Sequence, residues 1–204
     1  MKKERTREAL LDAALALLEE QSLSSLGLRE VTRAVGISPA AFYRHFRDIT
    51  ELGIVLVQES LEGLHQLIGE VLVRQVDAVE RIDESVDLIA AWVRAHPAHV
   101  RFLARERYGG VRAVRAEMAA QLDRFTDEVT AALRTEDESA DWTEPELRML
   151  AELYVDHMVI TAAALLEADQ GGGRDKEQVR ETARSQLRLI DIGRVHYRQH
   201  REPR

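Results

Sequence analysis

An all-α fold is what this sequence predicts, on three observations. The chain is rich in Ala, Leu, Glu and Arg, all good helix formers. It holds only four Pro among 204 residues, and Pro39, Pro97 and Pro145 stand at positions where helices can start. Apolar residues recur at three- and four-residue spacing through most of its length, and no run shows the two-residue alternation of a strand.

The periodicity places a first helix at about Lys3–Glu20, with Leu10, Ala14, Leu17 and Leu18 on its apolar face. Two short helices follow within residues 26–52. Leu28, Val31 and Val35 give the first one buried face. Gly36 stands where that helix must stop and turn, since glycine takes the left-handed conformation without a Cβ penalty. Ser38 is suited to cap the second short helix, and Pro39 to occupy its first position, giving a helix over Pro39–His45. A long helix is expected from about Asp48 to Arg74, with Leu52, Val55, Leu56, Leu64, Leu67, Ile68 and Val71 on its buried side. Further helices are drawn at about 79–95, 97–107, 110–134, 144–168 and 175–199. Pro97 and Pro145 open two of them, and Gly109-Gly110 and Gly171-Gly172-Gly173 mark breaks. Thr135–Asp141 reads as an acidic loop, His96 and His99 as cappers of a helix junction, and the tail beyond His196 as disordered.

Two helices joined by a glycine-containing turn form a helix-turn-helix, whose second helix enters the DNA major groove. The three-helix head is assigned to residues 1–47 and the body to 48–204. Charge agrees with that division. Residues 1–50 carry eight Lys/Arg against seven Asp/Glu, a net of +1, and the rest carry 20 against 29, a net of −9. An acidic body discourages indiscriminate adhesion to phosphate, so binding depends on a correctly shaped head.

Several classes are disfavoured. Without Cys there is no disulfide framework, thiol catalysis or Cys-based zinc site. No HExxH, P-loop, GxSxG or dinucleotide fingerprint occurs, and His196 and His200 lack a third ligand, so no enzyme activity, cofactor or metal is expected. The basic N-terminus is followed by a stretch that Asp12, Glu19 and Glu20 interrupt, unlike a signal peptide. Met158–Leu166 is the longest apolar run, about half of the roughly 20 residues a bilayer span needs. A cytoplasmic protein without a membrane partner is expected.

The stretch Gly36-Ile37-Ser38, Phe42-Tyr43-Arg44-His45-Phe46, Glu51-Leu52 resembles the TetR family of one-component bacterial regulators. Many members carry a Lys where this chain has Ile49, and Arg47 is a candidate replacement for its phosphate contact. The resemblance implies operator DNA as partner and a homodimer formed by the last two helices. Both carry more apolar residues than one neighbour needs: Leu153, Tyr154 and Val159 in one, Leu189, Ile192 and Val195 in the other.

On the recognition helix, Ser38 and Tyr43 suit phosphate contacts, Arg44 a guanine or a phosphate, and Pro39 and Ala40 thymine methyls, while His45 faces outward. Arg29, Arg33 and Arg47 add cationic candidates, and Arg5, Thr6 and Arg7 at the chain start are placed to meet phosphates. In the body, Trp92, Phe102, Leu103, Tyr108, Phe125, Tyr154, His157 and Met158 are candidates for a largely apolar effector pocket, or are plain core. The segments FYRHFRDITELG and FLARERYGGVRAVRAEM also resemble TetR regulators that respond to fatty acyl-CoA and control unsaturated fatty-acid synthesis. That resemblance implies an anionic head met by Arg105, Arg107 and Arg115, around Glu106 and Gly109-Gly110. Salt bridges of Arg105, Glu106 and Arg107 that join helices are the alternative reading. Other apolar effectors, and a helical adaptor dimer that binds no DNA, remain open.

Overall fold

A computed structural model describes residues 2–74, 76–136, 141–171 and 173–197, without the side chains of Lys2 and Val195. Nine helices and no strand occur among them. These are α1 (Lys2–Leu17), α2 (Leu28–Val35), α3 (Pro39–Phe42), α4 (Ile49–Leu72), α5 (Ala78–Ala95), α6 (Pro97–Glu106), α7 (Arg112–Arg134), α8 (Glu144–Asp169) and α9 (Lys176–Tyr197). Part of the expected acidic loop, Gly172, His200 and most of the expected disordered tail lie outside the described residues.

Helix ends follow local chemistry. The Glu30 carboxylate accepts the Gly27 N–H at 3.0 Å, starting α2. Gly36, at φ 73°, ends it in the left-handed conformation. Asp48 caps α4 by accepting the Glu51 N–H at 2.8 Å, and Glu146 bonds back to Thr143 at the start of α8. His96 holds the N-cap position of α6 but makes no side-chain cap bond.

The chain packs as two compact units, each drawn from two stretches of sequence. Residues 1–63 and 96–121 form the first, comprising α1 to α3, the start of α4, α6 and the start of α7. Its core holds Leu10, Ala14, Leu18, Val31, Phe42, Phe46, Leu52, Phe102 and Val114. Burial of Phe42 and Phe46, whose ring centroids lie 5.6 Å apart, contributes about 1.5–3 kcal/mol each.

Residues 64–95 and 122–204 form the second unit. Ile82 and Val86 of α5 pack with Ala183 and Leu187 of α9, and Tyr154 and Met158 of α8 close over them. Arg180, Arg184 and Arg188 of α9 pair with Asp83 and Asp87 of α5. The buried Arg194 binds Glu136 and Asp191, and Arg81 shares Glu136. Two carboxylates beside this buried cation offset the cost of taking it out of water.

Two expectations need correction. Leu67 is exposed, although the apolar stripe of the long helix placed it inside. Val57 and Leu61 are buried instead, because the helix meets neighbours on a wider arc than one stripe. The regular part of the recognition helix stops at Phe42, and Tyr43 to His45 continue as a tighter turn, with the His45 N–H on the Phe42 carbonyl at 2.8 Å.

α8 is the helix among the described residues long and apolar enough to cross a membrane, by length and composition. Its two faces explain this. Leu147, Leu150, Ala151, Leu165 and Leu166 are buried, while Met149, Leu153 and Ile160 form a second, exposed apolar stripe. Asp156 lies on that stripe, a placement that suits a protein partner better than lipid.

Candidate nucleic-acid interface

The Gly36 turn sets α3 against α2, and the Ser38 hydroxyl caps α3 by accepting the Ala41 N–H at 3.3 Å. Phe42 and Phe46 turn inward, which leaves Tyr43 outside, 61% exposed, with its ring edge-on to Phe42 at 5.9 Å. Ser38, Pro39, Ala40, Tyr43 and Arg44 are therefore exposed together on one short segment. Cationic and hydroxyl groups flank small apolar ones there, the mixture that meets phosphates and base edges.

Arg5, Arg29, Arg33 and Arg47 are also exposed, and Thr6 is half-buried. Arg47 pairs with Glu51 one turn into α4, Nε to Oε2 at 3.2 Å, so a phosphate contact would compete with that pair. Arg7 lies with its guanidinium 5.4 Å from the Phe46 ring centroid and binds Glu59 at 2.6 Å.

His45 departs from the expectation that it faces outward. It is half-buried, and its Nδ1 is enclosed without a hydrogen-bond partner. Burial first, then the charges of Lys3, Arg44 and Arg7, holds its pKa below the ordinary histidine value. Lys3 was not legible as a neighbour of this site, because helix packing rather than local spacing brings the chain start to residue 45.

The candidate effector residues are divided between the two compact units. In the first unit Phe102 is buried core, Leu103 is half-buried, and Tyr108 is 83% exposed with the Arg107 guanidinium 5.9 Å from its ring centroid. Arg105 donates to three backbone carbonyls, and Arg115 donates to the Gly109 carbonyl. These two arginines bond backbone groups instead of bridging between carboxylates. In the second unit Trp92 is buried, and Phe125 stacks on His65 at 3.6 Å. Tyr154, His157 and Met158 are half-buried along α8. Burial holds the His157 pKa below the ordinary value, and the nearby Ala183 backbone opposes that shift. Burial, followed by Asp191, raises that of Tyr154.

This arrangement defines a helix-turn-helix DNA-binding protein with a helical body. Residues 10–53 match the sequence model of the bacterial regulatory proteins of the tetR family. Similar solved structures include the transcriptional regulator FadR of Bacillus subtilis in complex with stearoyl-CoA, at TM-score 0.72 and 14% identity over 88% of this chain and 96% of that one. The fatty acid degradation regulator FadR of Bacillus halodurans matches at 0.70 and 13%, over 89% and 94%. A transcriptional regulator of Rhodococcus matches at 0.71 and 19%, over 95% and 97%. At these identities the structures establish a shared fold alone, and the likeness to the tetR family rests on the head. Residues 10–53 thus form a head of the tetR regulatory type, on a helical body that shares the fold of the regulators compared.

Proposed function

We propose that the chain is a homodimeric repressor acting in the cytoplasm. In this reading residues 1–47 bind operator DNA, and residues 48–204 bind an effector and join two copies. The observation that carries it is the exposed set Ser38, Pro39, Ala40, Tyr43 and Arg44 behind the Gly36 turn. Arg5, Thr6, Arg29, His45 and Arg47 would add contacts around it. A two-fold dimer would set two such segments about 34 Å apart, on successive turns of one DNA face. The stripe of Met149, Leu153 and Ile160 on α8, with Leu189 and Ile192 on α9, supports a second copy as its partner.

Long-chain acyl-CoA is the effector class to test first. Likeness of fold to FadR supports it, and Trp92, Phe125, Tyr154, His157 and Met158 are the residues of the second unit proposed to meet the chain. A different apolar effector, with efflux or catabolic target genes, is the second reading. It is favoured by the engagement of Arg105 and Arg115 with backbone carbonyls, since an anionic head would have to compete for them. Calorimetric titration with stearoyl-CoA and oleoyl-CoA, followed by operator binding with each, separates the two. Saturable binding that changes operator affinity supports the acyl-CoA reading. No binding of either leaves the regulator in place and selects the second.

A further inference from the structure

The last turn of α1 tightens, with the Glu19 and Glu20 N–H groups donating to the Ala16 and Leu17 carbonyls. Beyond Leu17 the chain runs through turns to Gln21, and its carbonyls need donors from elsewhere. One guanidinium serves three of them. Arg105 Nη1 donates to the Leu18 and Gln21 carbonyls at 2.8 Å each, and Nη2 to that of Glu19 at 3.0 Å. The next residue of α6 holds the opposite polarity of the same connection. Glu106, 1% exposed, accepts the Leu23 N–H at 2.8 Å. Its second carboxylate oxygen is buried without a hydrogen-bond partner against Gly109, where a Cβ would collide with it. Leu23 lies over Gly53 of α4, which likewise has no room for a Cβ.

We propose that Arg105 and Glu106 are positioning residues for operator recognition. They hold the backbone between α1 and α2, and through α2 they set the pose of the Gly36 turn and of Tyr43 and Arg44. This role rests on the operator-binding reading above, and neither residue touches DNA. Two observations separate it from simple stabilisation. A carboxylate buried with one N–H partner is costly, and an apolar side chain of similar volume would pack there at least as stably. Both residues grip backbone atoms, so they fix the path of the connection whatever its side chains are.

The test uses full-length protein and a duplex selected for tight binding by the wild type. Arg105→Ala and Glu106→Leu are each expected to weaken binding about tenfold or more, because a recognition surface must be held to within about half an ångström. Melting temperatures should stay within about 4 °C of wild type. Hydrogen exchange at the Leu23 amide should accelerate in Glu106→Leu, whereas Glu106→Gln, which keeps an acceptor, should restore both protection and affinity. If Arg105→Ala does not fold, Arg105→Lys carries the test: it keeps the charge, loses the three-way grip, and should lose affinity severalfold at unchanged melting temperature. Unchanged affinity in these variants, or loss only in step with the unfolded fraction, overturns the role. Failure of the wild type to select any duplex overturns the operator reading itself, and is recognisable because it precedes every variant.

Discussion

The recognition segment and the Arg105-Glu106-Arg107 segment both read as functional motifs, yet they use their polar groups differently. Between Gly36 and Arg44 the backbone satisfies itself through a left-handed glycine and a serine cap, and the side chains of Ser38, Pro39, Ala40, Tyr43 and Arg44 are left outside. In the second segment Arg105 and Arg115 turn back on backbone carbonyls, and Glu106 on a buried N–H. A motif whose backbone is closed locally can offer its side chains to a partner. One whose side chains close another segment's backbone has already used them.

The largest effect should fall in the second unit and leave recognition alone. Phe125→Ala removes a buried ring stacked on His65 and is expected to cost about 3–5 kcal/mol of stability. Thermal unfolding measures the loss, and operator affinity per folded protein should be unchanged. Next come Tyr43→Ala and Arg44→Ala, each expected to weaken operator binding by about 1–3 kcal/mol with unaltered melting. If either variant melts early, the exposed segment is carrying packing as well, and the comparison blurs. Gly36→Ala forces a Cβ into the left-handed region and should destabilise the head by about 1–2 kcal/mol. Hydrogen exchange across α2 and α3 would report it.

The smallest effect concerns pH. Because the pKa of His45 is lowered in the folded head, the unfolded chain takes up a proton near pH 6.5, by order of magnitude, that the folded chain refuses. Stability of the head therefore falls as pH drops through that window. A DNA phosphate near His45 reverses the preference by favouring the imidazolium. Operator affinity should then rise modestly from about pH 7.5 to about pH 6, and His45→Gln should flatten the slope. A wild-type slope of the opposite sign would place His45 away from phosphate.

Most of the fold was legible because it is written locally. Gly36, Ser38, Pro39, Pro97 and Pro145 punctuate the chain, and the drawn helices agree with the observed ones to within two or three residues. The head motif was legible for the same reason. The partners of Arg105 and Glu106 were not, since they lie more than 80 positions away and are backbone atoms, which no side-chain pattern marks. Exposure of Leu189 and Ile192 was anticipated only as excess apolar surface, because periodicity counts apolar positions without saying which neighbour covers them.

The central claim is that residues 36–47 read a specific duplex. Its most direct test is the ratio of specific to non-specific DNA affinity at physiological salt, using DNA upstream of the chain's own gene and a scrambled duplex of equal length. A ratio of about 10³ or more is expected, falling towards unity in the combined Tyr43→Ala, Arg44→Ala variant. A wild-type ratio near one, or a ratio that this double variant leaves intact, would contradict it.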